Sequence, residues 1–245
     1  MTQSVSIVIP CYNEETRITI TLARTLEYLR QRSGRSEIVV VDDGSTDDTA
    51  RLVESFCGVG AESQPAVRLI RQSTNQGKGA AIRRGMLEAT GDFVLFMDAD
   101  LATPIEELEK LFVYARQGFD VVIASRGLNE SDIQHRQSRV REALGRSFNG
   151  MVRWLLVPGI TDTQCGFKLF TRAAARQIFS EQHLDGYAFD VEVLWLAQRH
   201  GFRIKEVPVV WNHMPHSKVS PLRDGVKMIA DVWKLRLGGR GGRPR

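Results

Sequence analysis

Cysteine is scarce in this chain: Cys11, Cys57 and Cys165 are an odd number with no CxxC spacing. That argues against a disulfide framework or a zinc site and fits a reducing compartment. Long apolar runs are missing. The best candidate, Trp154 to Ile160, is broken by Pro158 and falls far short of the ~18 residues a membrane span needs. The opening "MTQSVSIVIP" is too polar and short to read as a signal peptide. Neither sign of charge dominates: 33 basic against 29 acidic residues give a net charge of +4 and a pI near 9.1. This mild excess allows a phosphate compound or a membrane surface as partner. With no clustering of aromatics, it argues against a nucleic-acid binder. No GxGxxG follows the first apolar segment and no GxxxxGK[ST] occurs, which argues against a dinucleotide fold or a P-loop.

What is present is alternation. "VSIVIP" (5–10), "EIVVVD" (37–42), "AVRLI" (66–70), "DFVLFMD" (92–98) and "DVVIAS" (120–125) are short, β-branched and apolar on nearly every residue. Such strands suit a sheet covered on both faces. Helical patterns fill the gaps at 14–32, 47–57, 78–90 and 104–117, with Thr46 or Asp47 as an N-cap for the second and Pro104 in the first turn of the fourth. The expected fold class is therefore α/β with a mostly parallel, doubly wound sheet. Ligands in such sheets bind at the carboxyl ends of strands, which is where "PCYNE", "DDGSTD" and "DADLATP" fall. Beyond about residue 128 we expect one or two basic amphipathic helices over 133–157, then the loop "PGITDTQCGFKLF". Helices from Arg172 and over 189–200 follow, then a strand "FRIKEVPVVW" and a last helix over 222–237. On that helix Leu222, Val226, Ile229, Trp233 and Leu237 share one face, and "GGRGGRPR" reads as a disordered tail.

The strand-end motifs carry the chemistry. Asp98 and Asp100 are two residues apart, so they share a side if strand geometry persists. Two carboxylates with open remaining positions suit Mg²⁺ or Mn²⁺ shared with substrate phosphates, although Asp is also common in a turn after a strand. Asp42 and Asp43 end the second strand, where a carboxylate can accept from a ribose hydroxyl or a base N–H. Tyr12 can stack on a base and Glu14 can bind a ribose or base edge; Asn13 and Glu14 are equally suited to beginning a helix. "NQGKGAAIRRG" is a Gly-rich loop-to-helix junction that either approaches an anion through residues such as Lys78 or is a flexible turn. Asp190 and Glu192 are an i, i+2 pair on a helix, which does not share a face; they are a base, part of an acceptor site, or structural. Cys165 reads as a buried small residue, and His213 and His216 give little sign of metal ligation.

Together, "IVIPCYNEE", "VVVDDGSTDDT", "NQGKGAAIRRGM", "FMDADLATP" and "ASRG" resemble the family 2 inverting glycosyltransferases of GT-A fold. "DTQCGFKLFTRAAA", "YAFDVEVLWLAQRHGFRIKEVPVVW" and "HSKVSPLRDGVKM" resemble the dolichyl-phosphate β-glucosyltransferase branch, with the mannose synthases as relatives. The resemblance implies that Pro10, Tyr12, Asn13, Glu14, Val41, Asp43 and Lys78 hold the nucleotide sugar, with Asp98, Ala99 and Asp100 as the metal and diphosphate signature. Mannose synthases carry a metal-binding Gln where this chain has Ala102, which favours the glucosyl branch. Arg126 and Arg141 match arginines for the acceptor phosphate, Gly145 stands where a serine companion is usual, and Ser217 and Lys218 match a segment that closes over the donor.

The implied reaction is transfer of a hexose, glucose from UDP-glucose, with inversion onto the phosphate of a polyprenyl carrier. Alternatives are a mannose or N-acetylhexosamine donor, or nucleotide-sugar binding without turnover. The expected catalytic residues are Asp100, Arg126 and Lys218. A phosphate nucleophile is already anionic near neutral pH, since a monoester's second pKa is ~6, so no general base is required. The expected layout is a nucleotide-sugar half (1–128), an acceptor half of the same domain (129–221) and a C-terminal helix with a basic tail (222–245). Arg136, Arg139, Arg141, Arg146 and Arg153, interleaved with Val140, Leu144, Phe148, Trp154 and Leu155, suit a membrane interface. So does Trp233 beside Lys227, Lys234 and Arg236. The expected location is cytoplasmic and peripheral to a membrane. The eukaryotic glucosyl enzymes begin with a membrane helix that this sequence does not show, so a prokaryotic relative is expected.

Overall fold

The computed structural model describes residues 3–58, 65–133, 149–212 and 223–238. The apolar runs become β1 (Val5–Cys11), β2 (Ser36–Asp42), β3 (Ala66–Arg71), β4 (Phe93–Met97) and β5 (Val121–Ser125). The helical patterns between them become α1 (Ile18–Arg30), α2 (Thr49–Glu54), α3 (Lys78–Glu88) and α4 (Leu108–Ala115). The helices are shorter than the periodicity suggests because polar residues are drawn into the strand-end loops. Asn13 takes a left-handed φ of +51°, and its backbone and side chain bond the loop after β2, so α1 begins only at Ile18. Asp47 accepts from Thr49 N–H at 3.0 Å at the start of α2. Pro104 is followed by a 3₁₀ turn, Ile105–Glu107, before α4.

After the two-residue strand β6 (Asp132–Ile133), residues 149–155 form α5. β7 (Phe167–Thr171), α6 (Arg172–Glu181), α7 (Phe189–Arg199), β8 (Ile204–Pro208), β9 (Val210–Trp211) and α8 (Arg223–Gly238) follow. The main sheet has seven strands in the order β3-β2-β1-β4-β7-β5-β8. All neighbours are parallel except β7, which runs antiparallel between β4 and β5. β7 corrects the sequence reading, which placed "GFKLF" in a loop: Lys168 interrupts its apolar run but is fully buried. The expected single strand "FRIKEVPVVW" is also divided. β8 ends the main sheet at Pro208, and β9 pairs with β6 in a separate parallel ribbon. The basic helix expected from 133 is described only over 149–155; residues 134–148 lie outside the described part.

The helices lie on both faces. One core joins Ile18, Leu22, Leu111 and Phe112 to one side of the sheet; the other joins Ile82, Met86, Phe179, Phe189 and Val232 to the opposite side. α1 and α3 therefore leave β1 and its neighbours on opposite faces. The chain order reverses between β1 and β4, which opens a crevice at their carboxyl ends. The polar residues that follow β1, β2 and β4 lie at those ends.

Candidate active site at the strand tips

β4 stops at Met97, and a turn takes over from strand periodicity. Asp98 N–H donates to the Gly166 carbonyl at 3.0 Å, one step beyond the Met97–Phe167 rung of the β4–β7 ladder. Thr21 Oγ1 donates to the Ala99 carbonyl at 2.6 Å, Asp100 accepts from Ala102 N–H at 3.0 Å, and Leu101 is held at φ +55°. A non-glycine residue there costs of order 1–3 kcal/mol, offset by the buried contacts of Leu101 and the bonds around it. Asp98 and Asp100 lie near enough for the charge of one to act on the other. Burial first, and then the charge of Asp98, push the pKa of Asp100 above its ordinary value; Ala102 N–H, Lys78 and Arg17 offset this only in part.

Lys78 opens α3, and its Nζ lies 2.6 Å from Asp98 Oδ1. Burial opposes its charge, but Asp98, Asp190 and Asp100 hold it well above its normal pKa. The loop that delivers it is built by Asp43. One oxygen of that carboxylate accepts from Gln72 Nε2 at 3.1 Å and Gln76 N–H at 2.8 Å, the other from Gly77 N–H at 2.8 Å. Gly77 has φ +109°, and a side chain there would also strike the Asp185 carbonyl. Of the residues expected to hold a nucleoside, Tyr12, Asn13 and Glu14 are partly exposed at the crevice, and Glu14 pairs with Arg17. Pro10 and Val41 are buried in the sheet.

Asp190 and Glu192 separate, as their spacing on α7 requires. Glu192 accepts from His183 and Leu184 N–H and ties down the loop before α7. Asp190 instead pairs with Lys168 Nζ, which also donates to the Cys165 carbonyl at 2.7 Å. Burial raises the pKa of Asp190, while Lys168 and then Lys78 lower it. Lys168 lies 5.1 Å from the Phe96 ring centroid, and Lys78 lies 6.0 Å from that of Phe189. The strand tips thus carry a connected run of charge: the like pair Asp100 and Asp98, then Lys78, Asp190 and Lys168. Lys168 escaped the sequence reading; the signal was a lone lysine inside "GFKLF". Tyr187 was missed too. Burial raises its pKa, and Lys78, Asp224, Asp98 and Glu14 act on it electrostatically, which places it beside this cluster.

Arg126, just past β5, forms a fork with Asp162: Nε to Oδ2 at 2.7 Å and Nη2 to Oδ1 at 2.9 Å, with Arg126 N–H donating to Oδ2 at 3.0 Å. Burial alone would raise Asp162, but the guanidinium and these N–H donors bring its pKa down to about 2. Glu206 on β8 accepts from the N–H groups of Thr161 and Asp162 and fixes this loop. Arg126 also stands 5.4 Å over the Trp211 ring. Cys165 is buried, as expected, and burial pushes its thiol up to about 11. Arg141, Ser217, Lys218, His213 and His216 lie outside the described residues.

The donor set at Asp98 and Asp100 fits a hard divalent cation. Two neighbouring carboxylates offer the oxygen ligands such an ion takes; no cluster of three His, Cys, Asp or Glu occurs among the described residues, so these would supply only the two. A cation held by two protein ligands keeps positions for phosphate oxygens and water, as Mg²⁺ and Mn²⁺ do.

A mostly parallel sheet, a switch-point crevice and an acidic strand tip define the GT-A fold class expected from the motifs. The model of "Glycosyl transferase family 2" matches residues 6–179, and the chain belongs to that family of glycosyltransferases. It is 38% identical to the dolichyl-phosphate β-glucosyltransferase of Dictyostelium discoideum, across 95% of this chain and 73% of the relative. It is 37% identical to the human enzyme of that name, across 96% and 76%. With the Saccharomyces cerevisiae enzyme the identity is 37%, across 95% and 74%. Among solved structures, glucosyl-3-phosphoglycerate synthase from Mycobacterium tuberculosis with UDP aligns with a TM-score of 0.69 at 21% identity, covering 96% of this chain and 80% of that one. The same enzyme with Mn²⁺, UDP and glucosyl-3-phosphoglycerate gives 0.68 at 23%, covering the same shares. This second likeness speaks to fold.

Proposed function

We propose that this protein transfers glucose from UDP-glucose, with inversion, to the phosphate of a dolichyl-type polyprenyl carrier. The observation that carries the reading is the pair Asp98 and Asp100, joined to Lys78 at the switch-point crevice of a family 2 chain. The relatives' names support the sugar and the acceptor. In the donor half, residues 1–128, Tyr12 stacks on the uracil, Asn13 and Glu14 lie at the ribose, and Pro10 and Val41 offer backbone. Asp43 Oδ2 accepts one protein bond and takes a base N–H as its second. Asp98, Ala99 and Asp100 meet the diphosphate.

Asp98 and Asp100 would hold Mg²⁺ or Mn²⁺, which supplies positive charge opposite the diphosphate oxygens as the sugar–phosphate bond breaks. Lys78, and Lys218 from outside the described residues, add cationic groups on the leaving side. In the acceptor half, 129–221 together with Arg126, the Asp162 fork uses Nε and Nη2. A guanidinium has five N–H donors, so others remain for the acceptor phosphate, beside Arg141 and Ser217. The phosphate oxygen attacks the anomeric carbon from the face opposite UDP. Proximity and electrostatics do most of the catalysis. The salt link of Asp190 to buried Lys168 disfavours it as a general base, consistent with an acceptor that is already anionic.

No helix among the described residues is long and apolar enough to cross a membrane. The apolar side of α8 is exposed, however. Val226, Ile229, Trp233 and Leu237 face outward, while Met228 and Val232 pack inward. Trp154 on α5 is 83% exposed. With Lys227, Lys234 and Arg236 alongside, this surface suits the headgroup layer of a membrane carrying the lipid acceptor, and we place the protein at the cytoplasmic face. The deciding experiment incubates the protein with Mg²⁺, polyprenyl phosphate and a panel of nucleotide sugars, and identifies the lipid product by mass spectrometry. A hexosyl lipid formed from UDP-glucose alone is expected. A product from GDP-mannose or a UDP-N-acetylhexosamine replaces the donor, and UDP-glucose binding without product turns the reading to a binding protein.

A further inference from the structure

β7 is the strand that breaks the parallel order of the sheet, and its first turn passes beneath Asp98. Gly166 lies immediately before Phe167, the first residue of β7, and its carbonyl accepts the Asp98 N–H at 3.0 Å. Its φ is not in the left-handed region, so backbone conformation does not require glycine here. Space does. An ideal Cβ on Gly166 would fall on the Asp98 carboxylate, 2.6 Å from Oδ1 and closer still to Cγ and Oδ2; those three atoms are its nearest neighbours. Real Cβ atoms essentially never come within 3.0 Å of another atom in this way. Lys78 Nζ engages Oδ1 of the same carboxylate at 2.6 Å. Asp98 thus contacts both a side-chain-free backbone and a lysine.

We propose that Gly166 is a positioning residue for the donor site: it is the seat of the Asp98 carboxylate and sets the direction in which that carboxylate presents its oxygens to a divalent cation and a nucleoside diphosphate. The inference rests on the proposed role of Asp98 and deepens it. A methyl group at position 166 would swing the short Asp98 side chain away rather than displace backbone, because no backbone atom is among the three nearest neighbours of the added carbon.

The test is a double-mutant cycle on the full chain, read as Mn²⁺·UDP affinity by electron paramagnetic resonance titration and as thermal unfolding without ligand. Gly166→Ala is expected to lose at least about tenfold in affinity, as Asp98→Ala does, and the double variant is expected to bind no worse than Asp98→Ala within about twofold. Should Gly166→Ala fold poorly, Asp98→Ala in the same chain should restore the unfolding midpoint, since it removes the atoms the methyl strikes. Retention of wild-type affinity by Gly166→Ala while Asp98→Ala loses it overturns the seat alone. Multiplicative losses, or a folding defect that Asp98→Ala fails to relieve, overturn it too. If Asp98→Ala itself leaves Mn²⁺·UDP affinity unchanged, the metal reading falls and the seat falls with it.

Discussion

Two lysine–aspartate pairs stand at the ends of neighbouring strands and do opposite work. Lys168 and Asp190 are sealed, with side-chain exposures of 0% and 4%. Lys78 and Asp98 are open, at 23% and 33%. The sealed pair has repaid its desolvation with a second acceptor, the Cys165 carbonyl, and joins β7 to α7. The open pair keeps faces toward the crevice and can exchange partners for a ligand. The same two residue types therefore serve fold or chemistry according to how much water reaches them.

The sharpest break in that comparison is Asp98→Ala. Transfer of radiolabelled sugar to lipid should fall below detection, at least about 10³-fold, with the circular dichroism spectrum unchanged. Turnover within tenfold of wild type would remove the metal role. On the sealed side, Lys168→Ala should cost about 3–5 kcal/mol in urea unfolding, because it strands a buried carboxylate. A loss under about 1 kcal/mol would show that water reaches Asp190. Lys78→Ala should reverse that profile: about 10²-fold lower kcat, with a smaller loss of stability than Lys168→Ala, since water reaches this pair in part.

A third ion pair, on the proposed acceptor side, is open to a test by pH. Asp162 has its folded pKa at about 2, below the ~3.9 of an unfolded aspartate. Its pairing with Arg126 therefore stabilises the fold above ~pH 4, and that contribution disappears as pH falls toward 2. Acid unfolding curves of Asp162→Asn should lack this slope; identical curves would deny the pairing. The smallest effect belongs to the surface. Trp233→Ser should weaken binding to vesicles containing anionic lipid a few-fold and leave transfer to a short-chain, water-soluble acceptor unaltered.

Much of the fold was legible because covered parallel strands are apolar on almost every residue, so β1 to β5 announce themselves. β7 did not, since Lys168 makes "GFKLF" look like loop; its ammonium is neutralised by Asp190, which is 22 residues away in sequence. α8 teaches a different lesson. The periodic face marks a helix correctly, but Val226, Ile229, Trp233 and Leu237 are its exposed side. Periodicity reports that a helix is two-sided and is silent on which side the core takes. In the candidate site, Asp98 and Asp100 were singled out by their place after an apolar run. Asp43 was singled out as well, and its carboxylate binds the loop that presents Lys78. Asp162 lay unnoticed beside Arg126, because forks between distant loops leave no local pattern.

The sequence by itself determined the α/β alternation, the acidic tips of three strands and the family. Those features are local: side-chain polarity over a few residues sets strand, helix and turn. Only the tertiary structure decided that β7 inserts antiparallel between β4 and β5, that Lys168 rather than Lys78 is shut in with Asp190, and that Gly166 lies under Asp98. Each of these depends on atoms brought together across many residues of chain, where packing and solvent exclusion, not local propensity, set the energy.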